Sequence, residues 1–193
     1  MITGNKIILR DKRLADAPDD YTWRTDSELA RLDAVPPLNT TFPQYLSAYA
    51  SELRYSPSTR HPFAIETLDG QHIGNCIYYD VNEAKGETEL GIIIGNRAYW
   101  DKGYGTDAVT TLVNYIFHQT NLKRIYLKTL DSNTEAQKCF NKCGFTPYGH
   151  MVKDGFSFVL MELHRKQWEK QQTGARQGSD LLGKSEGAKP LQK

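Results

Sequence analysis

The sequence predicts an α+β domain with a mixed central β-sheet of about seven strands flanked by helices. Three observations carry that prediction. Short strand-type runs recur along the whole chain, helical stripes separate several of them, and one glycine-rich turn leads from a strand directly into a helix. Residues 6–10 (KIILR) open as a strand. Residues 14–34 carry apolar residues at mixed three- and four-residue spacing, which predicts one or two helices ended by Pro36 and Pro37. Phe42, Tyr45, Leu46, Tyr49 and Leu53 form the next helical stripe, with Pro43 in its first turn. Residues 62–67 and 73–80 read as a hairpin about Leu68-Asp69-Gly70. Residues 87–94 (ETELGIII) end in consecutive apolar positions, as a strand covered on both faces does.

A helix then runs to about Gln119, carrying Ala108, Val109, Leu112, Val113, Tyr115 and Ile116 on its apolar side. RIYLKTL (124–130) is a strand, and residues 133–142 form a short helix stopped by Gly144. Residues 145–152 and 156–163 close the domain as a hairpin about Lys153-Asp154-Gly155. The predicted order is β-α-α-β-β-β-α-β-α-β-β, with no internal repeat. Residues 1–166 are expected to form the domain, and 167–193, rich in Gln, Gly, Lys and Ser, a flexible polar tail.

Charge excludes some partners. Lys plus Arg number 24 against 23 Asp plus Glu, so no bulk positive field points to nucleic acid. No apolar run approaches the roughly 20 residues that span a bilayer, and the first ten residues lack a signal-peptide core. The three cysteines, Cys76, Cys139 and Cys143, form no C-x-x-C pair. Reduced thiols in a cytoplasmic protein are expected, with no disulfide framework and no metal site. The five histidines show no metal-ligand spacing.

The stretch YWDKGYGTDA (99–108) invites a sharper question. A strand feeding a helix through Gly-x-Gly leaves amides unpaired at the helix start, where the dipole favours an anion. Glycine lets a large anion approach the backbone. The stretch lacks Gly-Lys-Ser/Thr and a third glycine, so neither common nucleotide loop fits. Taken alone, it is equally a structural turn.

Its neighbours decide between the two. ELGIII, then KGYGTDA, then RIYLKTL, then N-T-E-A and F-N-K-C-G-F together resemble the central region of the GNAT acetyltransferase superfamily. The opening LRDKRLADAPDDYTWRTDSELARL is similar to the branch of ribosomal-protein N-terminal and spermidine acetyltransferases, extending the resemblance over residues 7–163. It implies acetyl-CoA as co-substrate and a primary amine as acceptor, on a protein N-terminus or a small molecule. A module that binds acyl-CoA with little transfer is the alternative.

The resemblance also implies roles. The pyrophosphate of CoA would lie on the amides of Asp101, Lys102, Gly103, Tyr104, Gly105 and Thr106. Trp100 stands where Gln or Arg is common. The pantetheine arm would follow the strand edge at Ile92, Ile93 and Ile94, with an oxyanion donor near Ile93 or Ile94. Asn133 would cap its helix and touch the cofactor side. Glu89 is the expected general base, with Glu87 on the same strand face in reserve. Phe140 occupies the position of a common tyrosine acid, so no acid is assigned, with Tyr104 and Tyr148 as weaker donors. Cys139 and Cys143, one helical turn apart, read as packing.

The acidic run Asp16, Asp19, Asp20, Asp26, Glu28 and Asp33 is interspersed with arginines and reads as a solvated helix face more readily than a lure for cations. Tyr45 and Tyr49 fit a core stripe or an acceptor groove equally. A strand edge after Leu163 leaves room for a homodimer.

Overall fold

The computed structural model describes residues 1–55 and 57–182. β1 (Ile2–Thr3), β2 (Ile7–Asp11), β3 (Arg60–Thr67), β4 (His72–Asn82) and β5 (Glu87–Ile94) pair antiparallel in sequence order. β6 (Arg124–Leu130) then runs parallel to β5. The outer edge is β7 (Thr146–Lys153), separated from β6 by β8 (Phe156–His164). The sheet therefore has eight strands against about seven expected. The addition is the two-residue β1, too short to leave a period in sequence. Because β8 lies between β6 and β7, the strand that ends just after Leu163 is interior, and the sheet's edges are β1 and β7.

A parallel pair needs a crossover. Here it is α4 (Tyr104–Gln119), which joins β5 to β6. Its Ala108, Val109, Leu112, Val113, Ile116 and Phe117 are buried against Ile7, Leu9, Ile65, Ile73, Leu90, Ile125 and Leu127 of the sheet. Those helix positions recur at three- and four-residue spacing, so one stripe faces the core. α5 (Thr134–Lys142) lies beside α4.

The N-terminal helices α1 (Ala17–Thr25), α2 (Ser27–Leu32) and α3 (Phe42–Arg54) bring a polar layer. Strand alternation turns Arg10 away from the Leu9 side. Its guanidinium donates to both Asp16 oxygens at 2.9 and 2.8 Å and to Glu66 at 2.5 Å. Lys12 pairs with Asp20 at 2.5 Å, and Asn75 donates to Asp20 at 2.6 Å. His72, also buried, meets Asp19 at 3.1 Å. Asp16 and Asp20 are buried, so this part of the acidic run is no solvated face; Arg10 of β2 and Lys12 just after it draw it inward. The spacing of acids and arginines could not show that pairing, since the partners come from other elements. Tyr49 is buried and packs against Tyr45 with ring centroids 5.7 Å apart, which favours the core stripe.

The chain after the sheet departs from expectation. Residues 165–182 form α6 (Arg165–Leu182), so the expected tail begins as a helix; residues 183–193 lie outside those described. Arg165 donates to the carbonyls of Phe117, Leu122 and Thr120 at 2.7, 2.7 and 2.8 Å, meeting the unpaired end of α4. Trp168 is buried against Phe117 and His118, and its indole N–H donates to Asn114 at 2.7 Å. A single tryptophan in a polar stretch explains why composition pointed the other way. Trp168→Ala is expected to lower unfolding free energy by about 3–5 kcal/mol in a urea titration. An unchanged midpoint would return this segment to a dispensable tail.

Candidate active site

Pairing between β5 and β6 covers Glu87 with Arg124, Thr88 with Ile125 and Glu89 with Tyr126, and ends there. β5 runs on to Ile94, held by β4 as far as the Ile94–Gly74 pair, while β6 runs to Leu130, held by β8 as far as Phe158. Each strand keeps its outer neighbour, so the inner edges part. Ile92, Ile93 and Ile94 line the opening and are half-buried. The Ile94 carbonyl already accepts the Trp100 indole N–H at 2.6 Å, so the place commonly held by Gln or Arg here seals the end of β5.

Below the opening lies the turn into α4. The chain passes through left-handed conformations at Asp101 (φ 56°) and Gly103 (φ 83°). Gly103 is the residue preceding the helix and offers no capping side chain. The first-turn amides of Tyr104, Gly105 and Thr106 therefore have neither a helical carbonyl nor a cap as partner, and the positive helix end is presented outward. Lys102 turns back to the Ala98 carbonyl at 2.7 Å. A second cation stands there that the sequence did not single out. Lys6 Nζ donates to the Lys102 carbonyl at 2.8 Å and lies 3.6 Å from where a Cβ on Gly103 would be. Asp107 holds this contact in place by accepting the amides of Asn5, Lys6 and Ile7 at 3.1, 2.7 and 3.2 Å. Only the fold reveals Lys6, because β1 and β2 reach the loop from the far end of the chain.

The remaining residues of the loop face inward. Thr106 Oγ1 is 3.4 Å from Cys139 Sγ, and a Cβ on Gly105 would sit 3.7 Å from both Cys139 Sγ and Ile94 Cγ1. Tyr104 stands edge-on to Tyr99 at 5.0 Å, with Lys6 over its ring. Cys143 Sγ is 3.6 Å from the Thr106 carbonyl, so both thiols pack against the start of α4.

Glu89 stands at the point of parting and is 8% exposed. Its carboxylate pairs with Lys128 Nζ. Burial and the Glu89 charge together push the Tyr79 hydroxyl well above its usual pKa. Glu87 is not a free reserve, since Arg124 binds it at 2.8 Å and Glu162 at 2.6 Å. Asp33, at the end of α2, lies within electrostatic reach of Lys128. Asn133 caps α5, accepting the Ala136 amide at 3.2 Å. Phe140 is buried, edge-on to Phe145 at 6.0 Å. Tyr148 is exposed beneath the Arg124 guanidinium. Among the described residues no three His, Cys, Asp or Glu side chains cluster as metal ligands would, and no helix is long and apolar enough to cross a membrane.

Known proteins share this architecture. A family model described as an acetyltransferase (GNAT) domain matches residues 6–146. The uncharacterized N-acetyltransferase p20 of Bacillus licheniformis is 26% identical over 145 residues, 75% of this chain and 81% of its own. An aminoglycoside N(6')-acetyltransferase type 1 of Klebsiella pneumoniae is 25% identical over 182 residues, 87% of this chain and 88% of its own. The crystal structure of spermidine N-acetyltransferase from Vibrio cholerae with CoA and spermine matches with a TM-score of 0.75 at 20% identity, over 84% of this chain and 97% of that one. That last likeness is one of fold.

The two loop glycines should behave differently. Gly103→Ala forces a Cβ into a left-handed conformation and is expected to cost about 1–2 kcal/mol. Gly105→Ala adds a methyl where there is ordinary contact room and a helical backbone, and should be neutral or stabilising by up to about 1 kcal/mol. Chemical denaturation of both variants checks this; the reverse order would show that the turn at Gly103 does not constrain the fold.

Proposed function

Because this chain belongs to the GNAT acetyltransferase family and is an acetyl-CoA-dependent acyltransferase, we propose that it acetylates a small-molecule primary amine by direct attack in a ternary complex. The observation that carries the reading is the parting of β5 from β6 directly above the uncapped start of α4. One opening thus offers a free strand edge to an extended amide-bearing chain and an anion site to its pyrophosphate. A pantetheine arm bound to a diphosphate has that chemistry.

In this reading the amides of residues 101–106, with Lys6 and Lys102 nearby, hold the pyrophosphate. The inner edge at Ile92 and Ile93 pairs with the arm, with Ile94 contributing its amide side since its carbonyl is taken. Asn133 keeps the start of α5 fixed beside the arm. An acceptor ammonium has a pKa near about 10 and must lose a proton before attack. Glu89 takes it once the ammonium displaces Lys128 from its carboxylate. A backbone N–H at Ile93 or Ile94 meets the developing oxyanion. The leaving thiol has a pKa of about 8.5, so it departs without the proton that Phe140 cannot give.

A small amine is favoured over a protein N-terminus by the relatives, named for aminoglycoside and spermidine acetylation. Glu89 and Asp33 also put negative charge beside Lys128 at the opening, which suits a cationic amine, although Lys128 already balances part of it.

Thiol release on a panel of spermidine, kanamycin and short peptides tests the class of acceptor. Small amines should release CoA thiol above background; release by peptides alone would reverse the choice, and release by none would leave an acyl-CoA-binding module. Glu89→Gln should lower kcat on the best amine by about 100-fold and flatten its rise with pH. Acetyl-CoA should still raise the Tm of this variant. An unchanged rate would remove Glu89 as base.

A further inference from the structure

We infer that Lys128 is itself an acetylation site, modified by acetyl-CoA bound to its own chain. Lys128 lies on β6, two residues beyond the last pair with β5, and strand alternation puts it on the face of Tyr126, the cross-strand partner of Glu89. Its ammonium does not reach outward to solvent. It folds onto Glu89, with which it forms the ion pair described above, and its side chain is 35% exposed against 11% for its partner. Tyr79 on β4 backs the same carboxylate, and Asp33, just after α2, lies within electrostatic reach of the amine. Lys128 thus occupies the place that an acceptor amine must take if Glu89 is the base, and this inference rests on that reading. A primary amine held against the base and beside the thioester is a substrate by position, since holding the reacting groups together replaces the encounter of two molecules.

The step balances without an added reagent. Glu89 removes a proton from the Lys128 ammonium, and the neutral amine forms an N–C bond to the acetyl carbonyl. The C–S bond breaks and CoA leaves as a thiolate that takes the nitrogen's second proton, while Glu89 passes the first to solvent. The product is a neutral amide that no longer pairs with Glu89.

Lys138 supplies an internal comparison. It too is paired with a carboxylate, Glu135, at 2.6 Å, yet its side chain is 63% exposed and lies on α5. Spontaneous acetylation by dissolved acetyl-CoA favours the more exposed amine, whereas transfer within the site favours Lys128.

The test incubates the full chain with acetyl-CoA and no amine, then follows acetyl incorporation at each lysine by peptide mass spectrometry. Lys128 should gain an acetyl group at least about tenfold faster than Lys138. Glu89→Gln should remove that preference and leave the Lys138 rate unchanged. Lys128→Arg, which keeps a cation on Glu89 and the fold, should lose the fast phase. Equal rates, or a faster Lys138, overturn the inference. The Tm with acetyl-CoA separates the two levels of the argument. If acetyl-CoA raises the Tm and an amine releases thiol while Lys128 stays unlabelled, only this inference falls. If acetyl-CoA leaves the Tm unmoved, the transferase reading falls and this inference with it.

Discussion

The site depends on one constraint: two parallel strands that begin paired and cannot stay so. β4 holds β5 to its end and β8 holds β6 to its end, so the twist of the sheet opens the inner edges after Glu89 and Tyr126. Backbone groups on those edges require partners, and water or an extended ligand can supply them. The crossover that makes β5 and β6 parallel also places the start of α4 under the opening. Strand edge, helix dipole and the position of Glu89 therefore come from one topological event.

The surrounding contacts keep that opening in shape. A Cβ on Gly95 would overlap the Trp23 indole, so glycine is required where α1 closes on the end of β5. Arg97, at the entry to the loop, grips both Asp26 oxygens at 3.0 and 2.9 Å and Glu28 at 2.8 Å. Asp107 and Lys6 fasten the other side to the first hairpin. The acidic N-terminal segment thus braces the loop and the buried network of β2, and little of it is left to attract a ligand. Exposed pairs such as Arg97–Glu28 contribute little stability alone; their effect is on position.

The periodic parts of the chain were legible. ETELGIII, RIYLKTL and the apolar stripe from Ala108 to Ile116 gave strands and a helix where the structure has them, because burial on a fixed face leaves a period. The glycine turn was legible as well, since a left-handed residue before a helix is nearly confined to glycine. What could not be read depends on contacts between distant segments. Lys6 reaches the loop across a sequence separation of 96, and Lys128 finds Glu89 across 39. The buried network around Asp16, Asp20 and His72 joins Arg10 to Glu66 across 56 residues, Asn75 to Asp20 across 55 and His72 to Asp19 across 53. Trp168 sits in a stretch whose composition is otherwise that of a solvated segment. Local pattern records which face a residue shows, not what meets it.

The central claim is that acetyl-CoA lies in the opening between β5 and β6 with its pyrophosphate at the start of α4. Amide hydrogen exchange with and without acetyl-CoA tests it most directly, because the groups in question are backbone N–H donors. The account predicts slowed exchange at residues 92–94 and 101–106, with residues 7–11 in β2 little changed. Protection elsewhere, with both of those segments exchanging as in the free protein, would contradict it.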